Sequence, residues 1–182
     1  MTSRPVGISL LMLTLLVSIC CMSHTSCHAQ ASPLFFSPRT QNLGISIYGF
    51  NTSPIYGYAT QYLLRYGYNA KQQLQVGLET MYHNRGLTGQ EISGGPFGRY
   101  HFTERRLSPW VESDYKLLRF VPRTDDLPSR SFRHRVSASL GAGYYGIKKR
   151  FGVEVFGTLT YASPDDVFGW VGYRISYYFK RK

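Results

Sequence analysis

The 182-residue sequence predicts an all-β fold, an eight-stranded antiparallel up-and-down transmembrane β-barrel preceded by a cleavable signal peptide. Three observations predict it. Apolar and polar residues alternate through eight segments after residue 42, glycine and small hydroxyl residues crowd one face, and aromatic residues collect at the segment ends. An aromatic content of 15% excludes a disordered chain, and a mean hydropathy of −0.23 excludes a helical membrane bundle.

The first segment of the chain has the pattern of a secretion signal. Arg4 precedes an apolar run from Val6 to Cys21, which is shorter than the roughly 20 residues of a transmembrane helix. Small residues follow as far as Ala29, and this arrangement predicts a signal peptide over residues 1–29. A lipoprotein signal is the alternative. All three cysteines lie in the leader, so the mature chain has no disulfide framework.

The mature chain divides into three parts. We expect a loose periplasmic lead-in over residues 30–41, the barrel over residues 42–179 and a basic tail over residues 180–182.

The first four strands each place apolar side chains at alternate positions. Their predicted ranges are Asn42–Phe50, Gly57–Tyr68, Gln73–Tyr82 and Ile92–Phe102. The apolar faces include Leu43, Ile45 and Ile47, then Tyr62, Leu64 and Tyr66, then Leu74, Val76 and Leu78, then Tyr100 and Phe102. The fourth strand is the weakest because Gly94, Gly95 and Pro96 interrupt it, and proline cannot donate to a ladder. We therefore expect a bulge there, or a strand that begins near Phe97.

The last four strands repeat the alternation. Their predicted ranges are Pro109–Phe120, Phe132–Tyr145, Phe151–Tyr161 and Val167–Phe179. The apolar faces include Val111, Tyr115 and Leu117, then Val136, Ala138 and Leu140, then Val153, Val155 and Leu159, then Val171, Tyr173 and Ile175.

Alternation alone does not show which face of the strands contacts water. A secreted lipocalin-like barrel, with its polar face outside, is the soluble alternative. Three features favour a membrane barrel. The polar face is rich in glycine, serine and threonine, as a narrow lumen requires. Segments of about ten residues match a tilted crossing of the bilayer. Aromatic residues near strand ends, including Tyr144, Tyr145, Trp170 and Tyr177–Phe179, resemble interfacial girdles.

The lengths of the connections and the charges they carry differ between the two ends of the predicted barrel. The three compact connections, Asn69–Gln72, Thr103–Ser108 and Ile147–Arg150, share an end with both termini, which we predict to be periplasmic. That end carries nine basic residues and one acid; the outer loops, His83–Glu91 and Val121–Ser131 among them, hold three basic residues and five acids. The basic excess either contacts anionic headgroups or simply keeps the turns soluble.

The inward face carries charges that must be paired, because an isolated buried charge is very costly. We predict a lumen charge network of Arg65, Glu79, Arg99, Glu112, Asp114, Lys116, Arg135, Glu154 and Arg174. The hairpin registers set Arg99 against Glu112 and Glu154 against Arg174, with Arg65 and Glu79 as diagonal neighbours. The network forms either a plug or a polar path for small solutes or ions.

The sequence favours no enzyme. His101 shares the lumen with acids, but no serine, threonine or cysteine follows an inward histidine at the spacing of a nucleophile–base pair. Neither HExxH nor CxxC occurs in the mature chain. We predict no catalytic residue, no metal and no cofactor; a membrane-embedded lipid-modifying enzyme is the catalytic alternative. Nucleic-acid binding is not expected.

The hairpin from Gly95 to Phe102 and from Ser108 to Glu112 resembles the GPFxRYYF…PFVE hairpin of small outer-membrane β-barrel proteins of Bacteroidota-type bacteria. The last strand is similar to the signal read by the barrel-assembly machinery, carried here by Gly172, Ile175, Tyr177 and Phe179. It departs from that signal because Lys180, Arg181 and Lys182 follow the terminal aromatic residue.

This resemblance implies an integral outer-membrane barrel of the OmpA/OmpX-like size class. We therefore expect a monomer in contact with outer-membrane lipids and lipopolysaccharide, with a structural or surface-interaction role. A narrow channel for small solutes or ions is the alternative.

Overall fold

The computed structural model describes residues 33–53, 57–84, 89–122, 132–162 and 166–180, and these residues form one closed β-barrel. Each of its eight strands pairs antiparallel with its sequence neighbours, and the first strand pairs with the last, from Thr40 opposite Lys180 to Tyr48 opposite Gly172. The predicted fold class is therefore confirmed. The predicted signal peptide and two residues of the basic tail lie outside the described ranges.

The strands are longer than the ten-residue segments of the sequence pattern. They are β1 Thr40–Ser53, β2 Gly57–Asn69, β3 Leu74–Asn84, β4 Gly89–His101, β5 Leu107–Pro122, β6 Arg133–Ile147, β7 Phe151–Ala162 and β8 Asp166–Lys180. One short helix, α1 Pro33–Phe36, precedes them. Over the described ranges, no helix has the length and apolar character needed to span a bilayer.

The apolar face of the barrel points outward. Leu78 is 62% exposed and Ile45 is 60% exposed, whereas Glu79 and Ser46, their neighbours in the chain, are buried. Gln75 and Glu154 likewise point into the barrel while Val76 and Val155 point out. A soluble barrel has the opposite polarity, because its apolar side chains fill the core. The lipocalin-like alternative is therefore wrong.

β4 crosses without a bulge. Its pairing with β3 runs unbroken from Gln90 to Tyr100, with Pro96 opposite Leu78, and its register with β5 is the same before Gly95 and after Pro96. The expected bulge or late start is therefore wrong. Pro96 is exposed on the outward face, and only the Gly95–Pro96 step lacks a ladder partner on β5.

The described part of the lead-in, from Pro33 onward, is packed rather than loose. Phe35 and Phe36 of α1 are buried at the barrel end that carries the termini. They form one apolar cluster with Tyr145 and Tyr178, and Phe35 meets Tyr178 edge to face at 4.7 Å between ring centroids. The sequence prediction missed this packing because it placed the start of the barrel at residue 42. Helix α1, which closes this end of the barrel, lies before that residue.

Three aromatic residues assigned to the girdles point inward instead. Tyr145 and Tyr178 are buried at the base of the lumen, and Trp170 packs against an internal cluster of Leu63, Met81, Trp110 and Phe156. Adjacent residues of a strand face opposite sides, so Tyr144 and Tyr145 cannot both meet lipid. The girdles therefore keep Tyr144, Tyr177 and Phe179 and lose Tyr145, Trp170 and Tyr178.

Gly95→Ala should destabilise the barrel, because the added Cβ would overlap the backbone oxygen of Tyr115. We expect a loss of about 1–3 kcal/mol in the free energy of unfolding. Gly98→Ala is the matched control on the same strand, since a Cβ there meets nothing within 4 Å. Urea unfolding in vesicles measures both variants, and equal losses would contradict the close approach of β5 to Gly95.

Candidate functional site

The barrel interior holds a dense set of buried, paired charges. The structure buries all nine residues of the predicted lumen charge network and adds a tenth, Glu91. The set consists of five basic and five acidic side chains: Arg65, Arg99, Lys116, Arg135 and Arg174, with Glu79, Glu91, Glu112, Asp114 and Glu154. Equal numbers of opposite charges leave this buried set of ten without a formal net charge when all of them are ionised.

Glu112 of β5 joins three arginines. Its Oε2 atom accepts from Arg65 Nη1 at 2.8 Å and from Arg99 Nε at 2.7 Å. Its Oε1 atom lies 3.6 Å from Arg174 Nη2. Because these arginines come from β2, β4 and β8, one carboxylate ties together strands from around the barrel.

Glu154 of β7 forms the second junction. Arg99 Nη1 donates to its Oε1 atom at 2.9 Å, and Arg174 Nη1 donates to its Oε2 atom at 3.2 Å. The Tyr145 hydroxyl also donates to Oε1, at 3.2 Å. Glu112 and Glu154 therefore share Arg99 through charge-assisted hydrogen bonds, which are the strongest kind in proteins. Arg174 hydrogen-bonds Glu154 and lies within ion-pair distance of Glu112.

Lys116 extends the network along β5. Its Nζ atom lies 2.5 Å from Glu79 Oε1 and 2.7 Å from Asp114 Oδ1. Glu79 in turn meets Arg65, with 3.4 Å between Oε2 and Nη2. Eight of the ten charges thus form one connected network over β2, β3, β4, β5, β7 and β8.

Hairpin registers account for part of this network. Arg99 stands opposite Glu112 and Glu154 opposite Arg174, as the sequence predicted. Arg65 and Glu79 are directly opposite rather than diagonal. The contacts of Arg65 with Glu112 and of Arg99 with Glu154 join strands that are not neighbours in the sheet, and no local pattern could have found them.

Aromatic rings support the guanidinium groups. The Cζ atom of Arg65 lies 3.4 Å from the ring centroid of Phe97, and that of Arg99 lies 3.8 Å from the ring of Trp110. Arg174 stands over Phe156 at 4.6 Å. Stacking holds the planar groups in place and replaces water on their faces. Trp110 is 0% exposed, which shows how completely this level of the lumen is filled.

A second, smaller charge cluster lies nearer the outer loops. Glu91 Oε2 is 3.1 Å from both His83 Nδ1 and Arg135 Nη2. The sequence pattern predicts His83 and Glu91 in an outer loop, but both are buried inside the barrel because β3 and β4 extend further than predicted. Arg135 Nη1 also lies 3.8 Å from Met81 Sδ of the apolar internal cluster, and Arg135 stands directly opposite Lys116 of the larger network in the β5–β6 register.

A small cavity remains beside this cluster. It has a volume of about 10 Å³, and Lys116, Arg135, Ser137 and Thr158 are among the side chains that line it. A space of this size holds about one water molecule. The described interior therefore offers no room for a solute at this level.

Aromatic residues close the lumen at the barrel end that carries the chain termini. Phe36 and Tyr145 meet the ring of His101 edge to face, with centroids 5.3 Å and 5.5 Å away. Asn69 of β2 donates through Nδ2 to the backbone oxygen of Phe35 at 2.5 Å, which fixes α1 in the opening. Helix α1 and the base of the barrel together form an apolar floor under the charge network.

One serine–histidine contact escaped the sequence analysis. Ser108 Oγ lies 3.4 Å from His101 Nδ1, across the β4–β5 turn. Its hydroxyl donates instead to the backbone oxygen of Thr103 at 2.7 Å, and both residues are buried. This geometry suits a structural link better than a nucleophile, which must reach a substrate. Within the described ranges no three side chains group as metal ligands.

The four residues of the predicted assembly signal occupy both faces of β8. Gly172 lies on the inward face, whereas Ile175, Tyr177 and Phe179 lie on the outward face. Tyr177 packs against Phe151 with ring centroids 5.2 Å apart.

The similarities between this chain and known proteins concern its fold. No family model matches the chain, and no curated protein matches it. The N-terminal β-barrel domain of Pseudomonas aeruginosa OprF superposes with a TM-score of 0.64 at 13% identity, over 78% of this chain and 98% of that one.

Two further solved structures share the architecture. Neisserial surface protein A has a TM-score of 0.56 at 14% identity, over 77% of this chain and 96% of that one. A de novo designed transmembrane β-barrel has a TM-score of 0.52 at 14% identity, over 79% and 98%. The chain thus has the fold of small outer-membrane β-barrels.

Glu112→Gln should destabilise the barrel strongly, because it removes the charge that three buried arginines share. We expect a loss of about 3 kcal/mol or more in the free energy of unfolding. Glu104→Gln is the matched control: the same change in an exposed turn should shift the value by less than about 1 kcal/mol. Urea unfolding in vesicles compares them, and equal shifts would refute the junction role of Glu112.

Proposed function

We propose that this protein is an integral outer-membrane β-barrel with a plugged lumen and a structural or surface-interaction role. The observation that carries the proposal is the combination of an apolar outer wall with a filled, charge-balanced interior. Such a molecule presents lipid-facing strands and outer loops, and it leaves no wide path through itself.

The outer wall supports the membrane location. Along its strands the outward face carries side chains such as Leu43, Leu64, Val155 and Ile175, each at least 38% exposed. Water would oppose this exposure, and lipid favours it. A closed barrel also leaves no unpaired sheet edge in the bilayer, which is the condition for a β-structure to cross.

The proposal includes a route to the membrane. A signal peptide over residues 1–29 would export the chain, and the barrel-assembly machinery would read the last strand through its outward aromatic residues. The hairpin around Gly95–Phe102 supports membership in the small outer-membrane barrel proteins of Bacteroidota-type bacteria. The balanced interior and the closed sheet support a monomer surrounded by phospholipid and lipopolysaccharide.

Heat modifiability tests the membrane barrel. The native protein should resist SDS and migrate differently before and after boiling, because the closed ladder and the plug hold it folded. It should also remain with vesicles after a carbonate wash. A protein that migrates identically in both states and stays in the soluble fraction would refute the proposal.

A narrow channel is the second candidate function. The small cavity beside Lys116 and Arg135 favours it, because a polar space exists there next to charged groups. Opening such a path would require the junctions at Glu112 and Glu154 to rearrange, and the aromatic floor formed by Phe35 and Phe36 to move.

Conductance in planar bilayers separates the two candidates. We expect no steady current steps from the wild type, since ion pairs fill the lumen. Glu112→Ala should lower stability and give at most irregular current. Regular steps in the wild type that increase in Glu112→Ala would favour the channel and contradict the plug.

A further inference from the structure

A strongly basic surface surrounds the barrel end that carries the termini. We call it the basic rim, and among the described residues it comprises eight exposed side chains: Arg39, Lys71, Arg105, Arg106, Lys148, Lys149, Arg150 and Lys180. Glu104 is the one acidic residue described at this end. Neither the plug nor the fold of the strands accounts for this excess.

The rim runs around the whole circumference. Its residues come from the start of β1, from the β2–β3, β4–β5 and β6–β7 turns, and from the end of β8. A protein partner would contact one side of such a ring, whereas a lipid annulus meets all of it. The distribution therefore favours lipid as the occupant.

Outward aromatic residues lie directly next to the rim. Tyr100, Phe102, Tyr144 and Phe151 are exposed on the strand ends at this level. Arg150 donates through Nη1 to the hydroxyl of Tyr177 at 2.7 Å, which joins the two sets directly. Aromatic girdles sit at the headgroup level, and long basic side chains extend from there toward phosphate groups.

The backbone conformation of three rim residues is a second observation, independent of their charge. Among the described residues, the three non-glycine residues with left-handed φ are Arg39 at 66°, Lys148 at 47° and Lys149 at 62°. All three are basic and belong to the rim. Positive φ at both central residues of a tight turn normally selects Asn-Gly, so two lysines there are held in an unfavourable conformation. Turn stability alone does not explain them.

We propose that the basic rim binds the headgroups of anionic phospholipids on the periplasmic side of the membrane. This inference rests on the proposed function, since it needs the barrel to span a bilayer. The ligand class is a phospholipid with net negative charge, such as phosphatidylglycerol, and recognition is by charge around the girdle rather than by a single pocket.

Spin-labelled lipids test the inference in the full-length mature barrel, inserted into phosphatidylcholine vesicles. The wild type should favour spin-labelled phosphatidylglycerol over spin-labelled phosphatidylcholine by about fivefold, the gain for one basic contact at a membrane surface. About 0.5 M salt should largely abolish the preference, because it screens exposed charges.

Lys148→Asn with Lys149→Gly separates lipid binding from folding. This double variant removes two rim charges and installs the residues that the turn geometry prefers. We expect the lipid preference to fall from about fivefold to about fourfold, because two of the eight rim charges are lost, with an unfolding midpoint that is unchanged or higher. Arg119→Gln with Arg133→Gln removes two charges near the opposite end, and it should leave the preference unchanged.

The outcomes distinguish the two proposals. A barrel that inserts and is heat-modifiable, yet shows equal association with both labelled lipids, would overturn the basic rim as a lipid site and leave the proposed function standing. An equal loss of preference in both double variants would also overturn it, since the effect would then be one of net charge. A protein that fails to insert would refute the proposed function itself.

Discussion

The narrowness of a closed eight-stranded ring is the constraint on which the rest of this structure depends. Once β1 pairs with β8, every inward side chain shares one slender space. Glycine is needed where large groups converge: at Gly141 an added Cβ would lie 2.6 Å from both the Trp110 and Phe156 side chains. The remaining inward positions hold groups that fit each other closely, and closely placed charges must be complementary.

Charge complementarity then determines which face of each strand points into the lumen and which points outward. A one-residue slip of a strand would move its buried charges into lipid and its apolar side chains into the network, so the pairs oppose slippage on both faces. Glu112 and Glu154 are most effective in this role because each binds arginines from more than one strand. Planar guanidinium groups suit the lumen because Phe97 and Trp110 cover their faces.

The proposed function places the functional surfaces on the exterior of the molecule. We propose that a barrel whose lumen is filled by ion pairs and floored by Phe35 and Phe36 acts through what surrounds it: lipid along the wall, solvent beyond the outer loops, and headgroups at the basic rim. The buried pair of His101 and Ser108 fits this account, since a serine that donates to a backbone oxygen under an aromatic floor serves the β4–β5 turn.

The sequence by itself determined the strand number, the two faces and most of the pairs between neighbouring strands, because alternation and short turns are local properties of the chain. It therefore placed Arg99 opposite Glu112 and identified nine of the ten buried charges, although it set Arg65 and Glu79 diagonally and left Glu91 in a loop. It could not locate Pro96 in an unbroken strand, the packing of α1, or the inward turn of Trp170. Contacts across the lumen, such as Arg65 with Glu112, were decided only by tertiary structure, because they depend on the radius at which the closed sheet brings distant strands together.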